Sequence, residues 1–138
     1  MLALLPHRPP MRLVEEVVEV VPGAMARTRR RARRDDWYFD GHFPGQPVVP
    51  AIVLIELVAQ TGGLAVGAGD AAPLSYRVAA VGRFKFPAPS APGVLLETTA
   101  RVTGAMGALL RIEGTVTADG VPVAAGEVTL ARVTAGQP

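Results

Sequence analysis

The sequence predicts an α+β fold in which an antiparallel sheet curls around one long helix. One observation is an apolar stretch, residues 51–68, that is long enough for a buried helix. Six segments rich in β-branched or alternating apolar residues flank it, two before and four after. Short turn signals separate most of these segments, which is typical of antiparallel hairpins. We expect one domain, residues 1–138, with one core.

The helix prediction depends on the ends and the composition of the apolar stretch. Pro50 suits the first turn of a helix, where its missing N–H costs nothing, and residues 67–73 contain glycine and proline stop signals. The stretch is as long as a membrane span, but it contains Glu56, Gln60 and a glycine pair and has no flanking aromatic belt. We therefore predict a buried helix of a soluble protein, covered by strands, with no membrane contact.

Turn signals separate the predicted strands. Pro22 and Gly23 lie between the first two, residues 104–107 lie between the fourth and fifth, and Asp119-Gly120 is a strong hairpin signal before the last. The predicted strands are residues 12–21, 24–34, 76–86, 94–103, 109–118 and 123–133. Only 5% of the residues are aromatic, so we expect a core of Val, Leu, Ile and Ala.

The composition argues against several kinds of site. The chain has no cysteine, which excludes disulfides, thiolate metal sites and thiol nucleophiles, and its two histidines argue against a histidine-rich metal site. The N-terminal residues lack the features of a secretory signal, so we expect a cytoplasmic protein. A net charge of +2 and the absence of a recognisable DNA-binding motif argue against binding of nucleic acid.

His42 and Glu56 are unusual for their surroundings. His42 lies in a loop rich in glycine and proline, and Glu56 interrupts an almost wholly apolar run. Burial favours the protonated form of a carboxyl group, so such a glutamate can donate a proton while a nearby imidazole accepts one. Each residue also has a simpler interpretation, because loop histidines are often structural and a helix glutamate can pair with an arginine.

Several motifs, in order along the chain, give it a resemblance to a known family. They are Leu-Pro-His-Arg at 5–8, Gly-His-Phe-Pro-Gly at 41–45, Ile-Glu-Leu-Val-Ala-Gln at 55–60, Phe-Lys at 84–85 and Pro-Gly at 92–93. The five-residue loop is a weak signal alone, but its spacing to the glutamate and the order of elements agree. The chain resembles the FabZ-type 3-hydroxyacyl-acyl carrier protein dehydratases, which have the hot-dog fold.

The resemblance implies dehydration of a (3R)-hydroxyacyl thioester on acyl carrier protein, in fatty acid or related acyl-chain biosynthesis. It implies that His42 is the base, that Glu56 is the acid and that the backbone N–H of Ala51 binds the thioester oxygen. Gln60 is expected to orient Glu56 or to bond backbone, and Gly45 has a supporting role. In this family the histidine of one subunit faces the glutamate of the other. The resemblance therefore implies a homodimer, often within a trimer of dimers. No metal or other cofactor is expected.

Two features depart from the family pattern and leave alternatives open. Ala51 stands where the family usually has glycine; it still presents an N–H, but its Cβ can crowd the thioester. Residues 92–94 read Pro-Gly-Val rather than Pro-Gly-Asp and follow what look like two extra residues around Pro89 and Ser90. One alternative is a hot-dog thioesterase in which Glu56 activates water or attacks the carbonyl. The other is a non-catalytic subunit that binds acyl thioesters.

The segment 27–34 contains six of the fourteen basic residues of the chain. Strand alternation is expected to divide them between two faces. One interpretation is an edge strand protected from aggregation by charge. The other is a docking surface, formed by Arg29, Arg31 and Arg33, for the acidic acyl carrier protein. Outside this segment, His7 is expected to anchor the N-terminus through hydrogen bonds.

Overall fold

Six antiparallel strands form one sheet that packs against a single long helix. The computed structural model describes residues 2–40, 47–69 and 75–133. The strands are β1 (Glu16–Val21), β2 (Met25–Arg31), β3 (Tyr76–Lys85), β4 (Leu95–Met106), β5 (Leu109–Ala118) and β6 (Val121–Arg132), and the helix α1 is Ala51–Ala68. Short 3₁₀ helices cover Leu2–Leu4 and Trp37–Phe39. The sheet order is β1-β2-β4-β5-β6-β3, which confirms the predicted α+β class.

The hairpins follow the turn chemistry of the sequence, with one difference. Asp119 and Gly120 have positive φ angles of 47° and 84°, as a two-residue hairpin turn requires, which confirms the predicted turn between β5 and β6. The turn predicted at residues 104–107 is shorter than expected, because β4 continues to Met106. A register shift between Val102 and Gly104 lets the strand pass the glycine.

β1 begins four residues later than predicted, because side chains satisfy the backbone before it. The Oε1 atom of Gln60 accepts the N–H groups of Leu13 at 2.9 Å and Val14 at 3.4 Å. The Nη1 atom of Arg30 donates to the Leu13 carbonyl at 2.9 Å. Leu13 and Val14 are therefore held by side chains from α1 and β2, and the backbone ladder to β2 begins at Glu15, whose N–H donates to the Arg29 carbonyl at 3.2 Å. β2 also ends earlier than predicted, at residue 31.

α1 has the bounds that the sequence predicts and forms the centre of the core. Pro50 lies one position before its predicted place, as the N-cap residue. α1 is long and apolar enough to cross a membrane. However, 72% of this stretch is buried inside the protein, as in a core helix. Leucine, valine, isoleucine and alanine dominate the core around it, and the buried aromatic residues among those described are Tyr38 and Phe39.

Candidate active site around Glu56

Glu56 lies between a partly exposed first part of α1, in which Val53 and Leu54 are the buried residues, and a fully buried second part. Ala51 and Ile52 at its start are exposed, Ile52 to 70%, whereas residues 57–67 are all buried. The Glu56 side chain is 25% exposed. The side chain is thus partly withdrawn from water and still partly accessible from solvent. The interruption of the apolar run at Glu56 corresponds to this boundary.

Gln60 is fully buried and contacts both Glu56 and the N-terminal segment. Its Nε2 atom donates to Oε1 of Glu56 at 3.3 Å and to the Met11 carbonyl at 2.7 Å. Its Oε1 atom accepts the N–H of Leu13. The two contacts that the sequence offers as alternatives for Gln60, to Glu56 and to backbone, therefore occur together.

His7 also lies beside Glu56, although 49 residues separate them in the chain. Its Nε2 atom is 3.4 Å from Oε1 of Glu56, and its ring centroid is 5.8 Å from that of Tyr76. The Nδ1 atom is buried and has no hydrogen-bond partner among the described residues. The segment reaches this position because Leu5, 1% exposed, is packed into the core. The sequence signal was only the Leu-Pro-His-Arg motif, which led to an expected anchoring role.

Tyr76 closes the site on the side of β3. Its hydroxyl group is buried without a hydrogen-bond partner in the described part of the chain. An added Cβ on Gly63 would lie 2.3 Å from this hydroxyl. The Tyr76 ring can therefore occupy its position only because residue 63 is a glycine. Burial, and secondarily the charge of Glu56, raises the pKa of Tyr76 well above its ordinary value. Tyr76 therefore lines the site as an uncharged phenol. No sequence motif indicated that this residue belongs to the site.

The start of α1 offers a hydrogen-bond donor beside a cavity. The first helical bond to the Pro50 carbonyl comes from the N–H of Val53, at 3.0 Å, and no described group accepts the N–H of Ala51. A cavity of about 310 Å³ adjoins the helix start, with Ala51, Pro89 and Ser90 among its lining residues. The residues near Pro89 that depart from the family pattern thus shape a space next to the helix start.

Two predicted site residues, His42 and Gly45, lie outside the described residues. Their proximity to Glu56 therefore stays a prediction. Within the described ranges, no group of three or more His, Asp or Glu side chains is placed to hold a metal ion. The candidate site described by the structure consists of Glu56, Gln60, His7 and the open end of α1.

The arginines of segment 27–34 divide between two faces of β2, as strand alternation predicts. Arg30 points inward, is 8% exposed, and pairs with Asp36 at 2.9 Å as well as with the Leu13 carbonyl. Burial is the largest of the effects that raise the pKa of the neighbouring Tyr38 to about 12. Arg30 is therefore a structural residue that holds the N-terminal segment against the sheet.

The predicted docking residues on the other face are engaged within the chain. Arg29 bonds to Glu97 at 2.9 Å, and Arg33 bonds to Glu15 at 2.6 Å. Arg31 donates to the carbonyl of Gly93 at 3.0 Å. These side chains are exposed enough to meet a partner, but two of the three have a carboxylate counter-ion already. Their docking role stays a prediction.

Comparisons with known proteins identify the family of the chain. A family model described as FabA-like domain matches residues 5–127. The chain belongs to the FabA-like family. A 3-hydroxyacyl-[acyl-carrier-protein] dehydratase FabZ of Myxococcus xanthus is 38% identical over 130 residues, 91% of this chain and 84% of that protein. The FabZ of Nitratidesulfovibrio vulgaris strain DP4 is 38% identical over 136 residues, 96% and 88% of the two chains. The predicted resemblance and the class of hydro-lyase are confirmed.

Solved structures share the fold of this FabA-like protein. The dehydratase heterocomplex ApeI:P from Xenorhabdus doucetiae superposes with a TM-score of 0.84 at 17% identity, over 97% of this chain and 91% of that one. The E. coli PaaI protein from the phenylacetic acid degradation operon has a TM-score of 0.67 at 15% identity, over 85% and 82% of the two chains. At these identities the likeness concerns the fold alone, and it confirms the predicted hot-dog architecture.

Proposed function

We propose that this FabA-like protein dehydrates (3R)-3-hydroxyacyl thioesters carried on acyl carrier protein to trans-2-enoyl thioesters. The observation that carries the proposal is the Glu56 carboxyl group, which Gln60 holds at the boundary between the core and solvent. The FabZ relatives are named as dehydratases of this substrate class. A carboxyl group with one protected and one open side suits the acid that such a reaction needs.

The reaction removes a proton from the α-carbon and expels hydroxide from the β-carbon. Hydroxide is a poor leaving group, so a proton donor must act as the C–O bond breaks. Glu56 gives its proton to the departing oxygen, which leaves as water, while His42 takes the α-proton. Return of a proton from His42 to Glu56, through water, restores both groups. Run in reverse, the same groups add water to an enoyl thioester.

The start of α1 supplies the third element of the proposed site. Negative charge develops on the thioester oxygen as the α-proton leaves, and a preorganised donor lowers the barrier. The unpaired N–H of Ala51 and the positive end of the helix dipole are suited to this role. The adjoining cavity offers about 310 Å³ for part of the substrate.

A homodimer is part of the proposal, because apolar residues are exposed on an edge strand and at the start of α1. β3 is an edge strand on which Val78 and Val81 are 40% and 49% exposed, and Ile52 and Phe86 are also exposed. An unpaired edge with apolar side chains is suited to cover by a second copy. In that arrangement the partner contributes its His42 to the site of Glu56. A trimer of dimers and a cytoplasmic location remain expectations.

The decisive experiment follows the absorbance of a trans-2-enoyl thioester on acyl carrier protein, with His42→Ala and Glu56→Gln in parallel. We expect the native chain to consume the enoyl group and both variants to be inactive. Release of free thiol instead would identify a thioesterase. Constant absorbance with several chain lengths would refute the proposal and favour a non-catalytic acyl-binding subunit.

Carrier docking by Arg29, Arg31 and Arg33 is a separate proposal. It rests on the exposure of Arg31 and Arg33 and the partial exposure of Arg29, on the outer face of β2 and just beyond its end. The double reversal Arg29→Glu with Arg31→Glu is expected to raise KM at least about fivefold for carrier-bound substrate and less than about twofold for a small thioester. Arg101→Glu with Arg111→Glu makes the same charge change elsewhere on the sheet. An equal effect of this control pair would refute specific docking.

A further inference from the structure

Two nitrogen atoms approach the same oxygen of Glu56. Gln60 Nε2 donates to Oε1 at 3.3 Å, and His7 Nε2 lies 3.4 Å from that atom. Within residues 2–40, 47–69 and 75–133, no hydrogen bond reaches the other oxygen, Oε2. The carboxyl group is therefore asymmetric, because its described polar neighbours both approach Oε1.

We propose that His7 is a positioning residue for Glu56, whose Nε2–H donates to Oε1 and so places the transferable proton on Oε2. The inference rests on the proposed dehydratase function. A protonated carboxyl group has one carbonyl oxygen, which accepts hydrogen bonds, and one hydroxyl oxygen, which donates. Donors from both His7 and Gln60 on Oε1 make it the carbonyl oxygen. The acidic hydrogen is then on the oxygen that faces the substrate.

The histidine is presented by a segment that is tied to the same helix. Gln60 binds the carbonyl of Met11 at 2.7 Å and the N–H of Leu13 at 2.9 Å. Arg30 binds the Leu13 carbonyl, and the Trp37 indole N–H donates to the Pro10 carbonyl at 3.3 Å. These bonds fix the path of the chain beyond His7, while buried Leu5 fixes it on the other side. The ring is thereby held against Glu56 at little entropic cost during the reaction.

The surroundings of the ring favour one neutral tautomer. Nδ1 is buried and has no hydrogen-bond partner among the described residues. A buried N–H without an acceptor is costly, so the neutral ring keeps its proton on Nε2, where the Oε1 atom of Glu56 can accept it. The neutral Tyr76 ring packs beside the imidazole and does not compete as an anion. At 3.4 Å the two atoms are in ion-pair contact, and the proposed hydrogen bond requires this contact to tighten as Glu56 acts on the substrate.

A purely structural role makes a different prediction from a positioning role. If His7 only packs against Tyr76, an aromatic replacement preserves its function. If it holds Glu56 through Nε2, the replacement must keep an N–H at that position. His7→Phe keeps the ring and removes the donor, whereas His7→Gln loses the ring and keeps an amide N–H at nearly the same reach.

Steady-state hydration of an enoyl thioester by these two variants tests the proposal. We expect His7→Phe to lower kcat about 10- to 100-fold with KM within about twofold, since a misplaced acid slows the chemical step. We expect His7→Gln to recover kcat to within about fivefold of the native value. Native kcat in His7→Phe, or equal losses in the two variants, would overturn the positioning role. Circular dichroism and thermal unfolding of each variant exclude misfolding as the cause of a loss.

Imidazole ¹⁵N NMR supplies a readout that does not depend on activity. The chain has two histidines, so His42→Ala leaves the signals of His7 alone. We expect the Nε2–H tautomer and a shift of its ¹⁵N signal when Glu56→Ala is added. A proton on Nδ1, or signals that Glu56→Ala leaves unchanged, would refute the contact. An inactive native chain with the expected spectrum would refute the dehydratase and retain the contact, so the two failures are distinguishable.

Discussion

The two halves of α1 show how one helix serves both the core and the site. Residues 57–67 are all buried, and neighbouring strands approach them so closely that an added Cβ on Gly63 would lie 2.3 Å from Tyr76. Ala51 and Ile52 are exposed, and Glu56 is 25% exposed. Packing fixes the enclosed half, and the buried Val53 and Leu54 anchor the more open half to the same core. Changes at the open end should therefore reduce activity, and changes in the enclosed half should reduce stability.

The largest expected effect is at the open end. Glu56→Gln keeps the shape of the side chain and removes its acidic proton. We expect kcat for enoyl hydration to fall about 1000-fold, or about 4 kcal/mol in activation free energy, with the melting temperature within about 3 °C of native. Glu113→Gln, at an exposed position on β5, is the matched control. Retained activity in Glu56→Gln would remove the acid from the proposed mechanism.

The next effect is at Gln60, which belongs to the enclosed half and contacts the open one. Gln60→Leu leaves the buried N–H of Leu13 and the carbonyl of Met11 without their partners. We expect a loss of about 3 kcal/mol in unfolding free energy, measured by urea denaturation, together with a lower kcat.

A change in the adjacent residue serves as the control for this prediction. Thr61→Val removes one hydroxyl contact, to Thr28 at 2.8 Å, and is expected to cost about 1 kcal/mol with kcat unchanged. If Gln60→Leu altered stability but not kcat, Gln60 would not orient Glu56, and the two halves of the helix would be independent.

The smallest of these effects concerns packing in the enclosed half. Gly63→Ala forces the Tyr76 ring to move, and alanine recovers part of the cost through its better helix propensity. We expect a net loss of about 2 kcal/mol in unfolding free energy. Gly104→Ala, whose nearest contact would be the Arg111 side chain at 3.9 Å, controls for the substitution itself. If Gly63→Ala left the stability unchanged, Tyr76 and β3 would be able to shift at little cost. That result would contradict the rigid packing inferred for this half of α1.

Much of the fold was predictable because its signals are local. The bounds of α1 follow from an almost wholly apolar run between Pro50 and the glycine at its end, and the turn at Asp119-Gly120 follows from two residues that tolerate positive φ. The start of β1 was predicted wrongly, because the backbone of Leu13 bonds to side chains of Gln60 and Arg30. Those partners are distant in the chain, and no local sequence pattern predicts them.

The sequence by itself determined the class of fold, the family, the apolar core and the candidate acid, because each depends on residue type, spacing or periodicity. Only the tertiary structure decided what surrounds that acid. It brought His7 and Tyr76 from separate segments to Glu56, turned Arg30 inward as a support, and paired Arg29 and Arg33 with carboxylates. Except for the pair of Arg30 with Asp36, these contacts join residues far apart in the chain, and they form only when the strands and α1 have packed together.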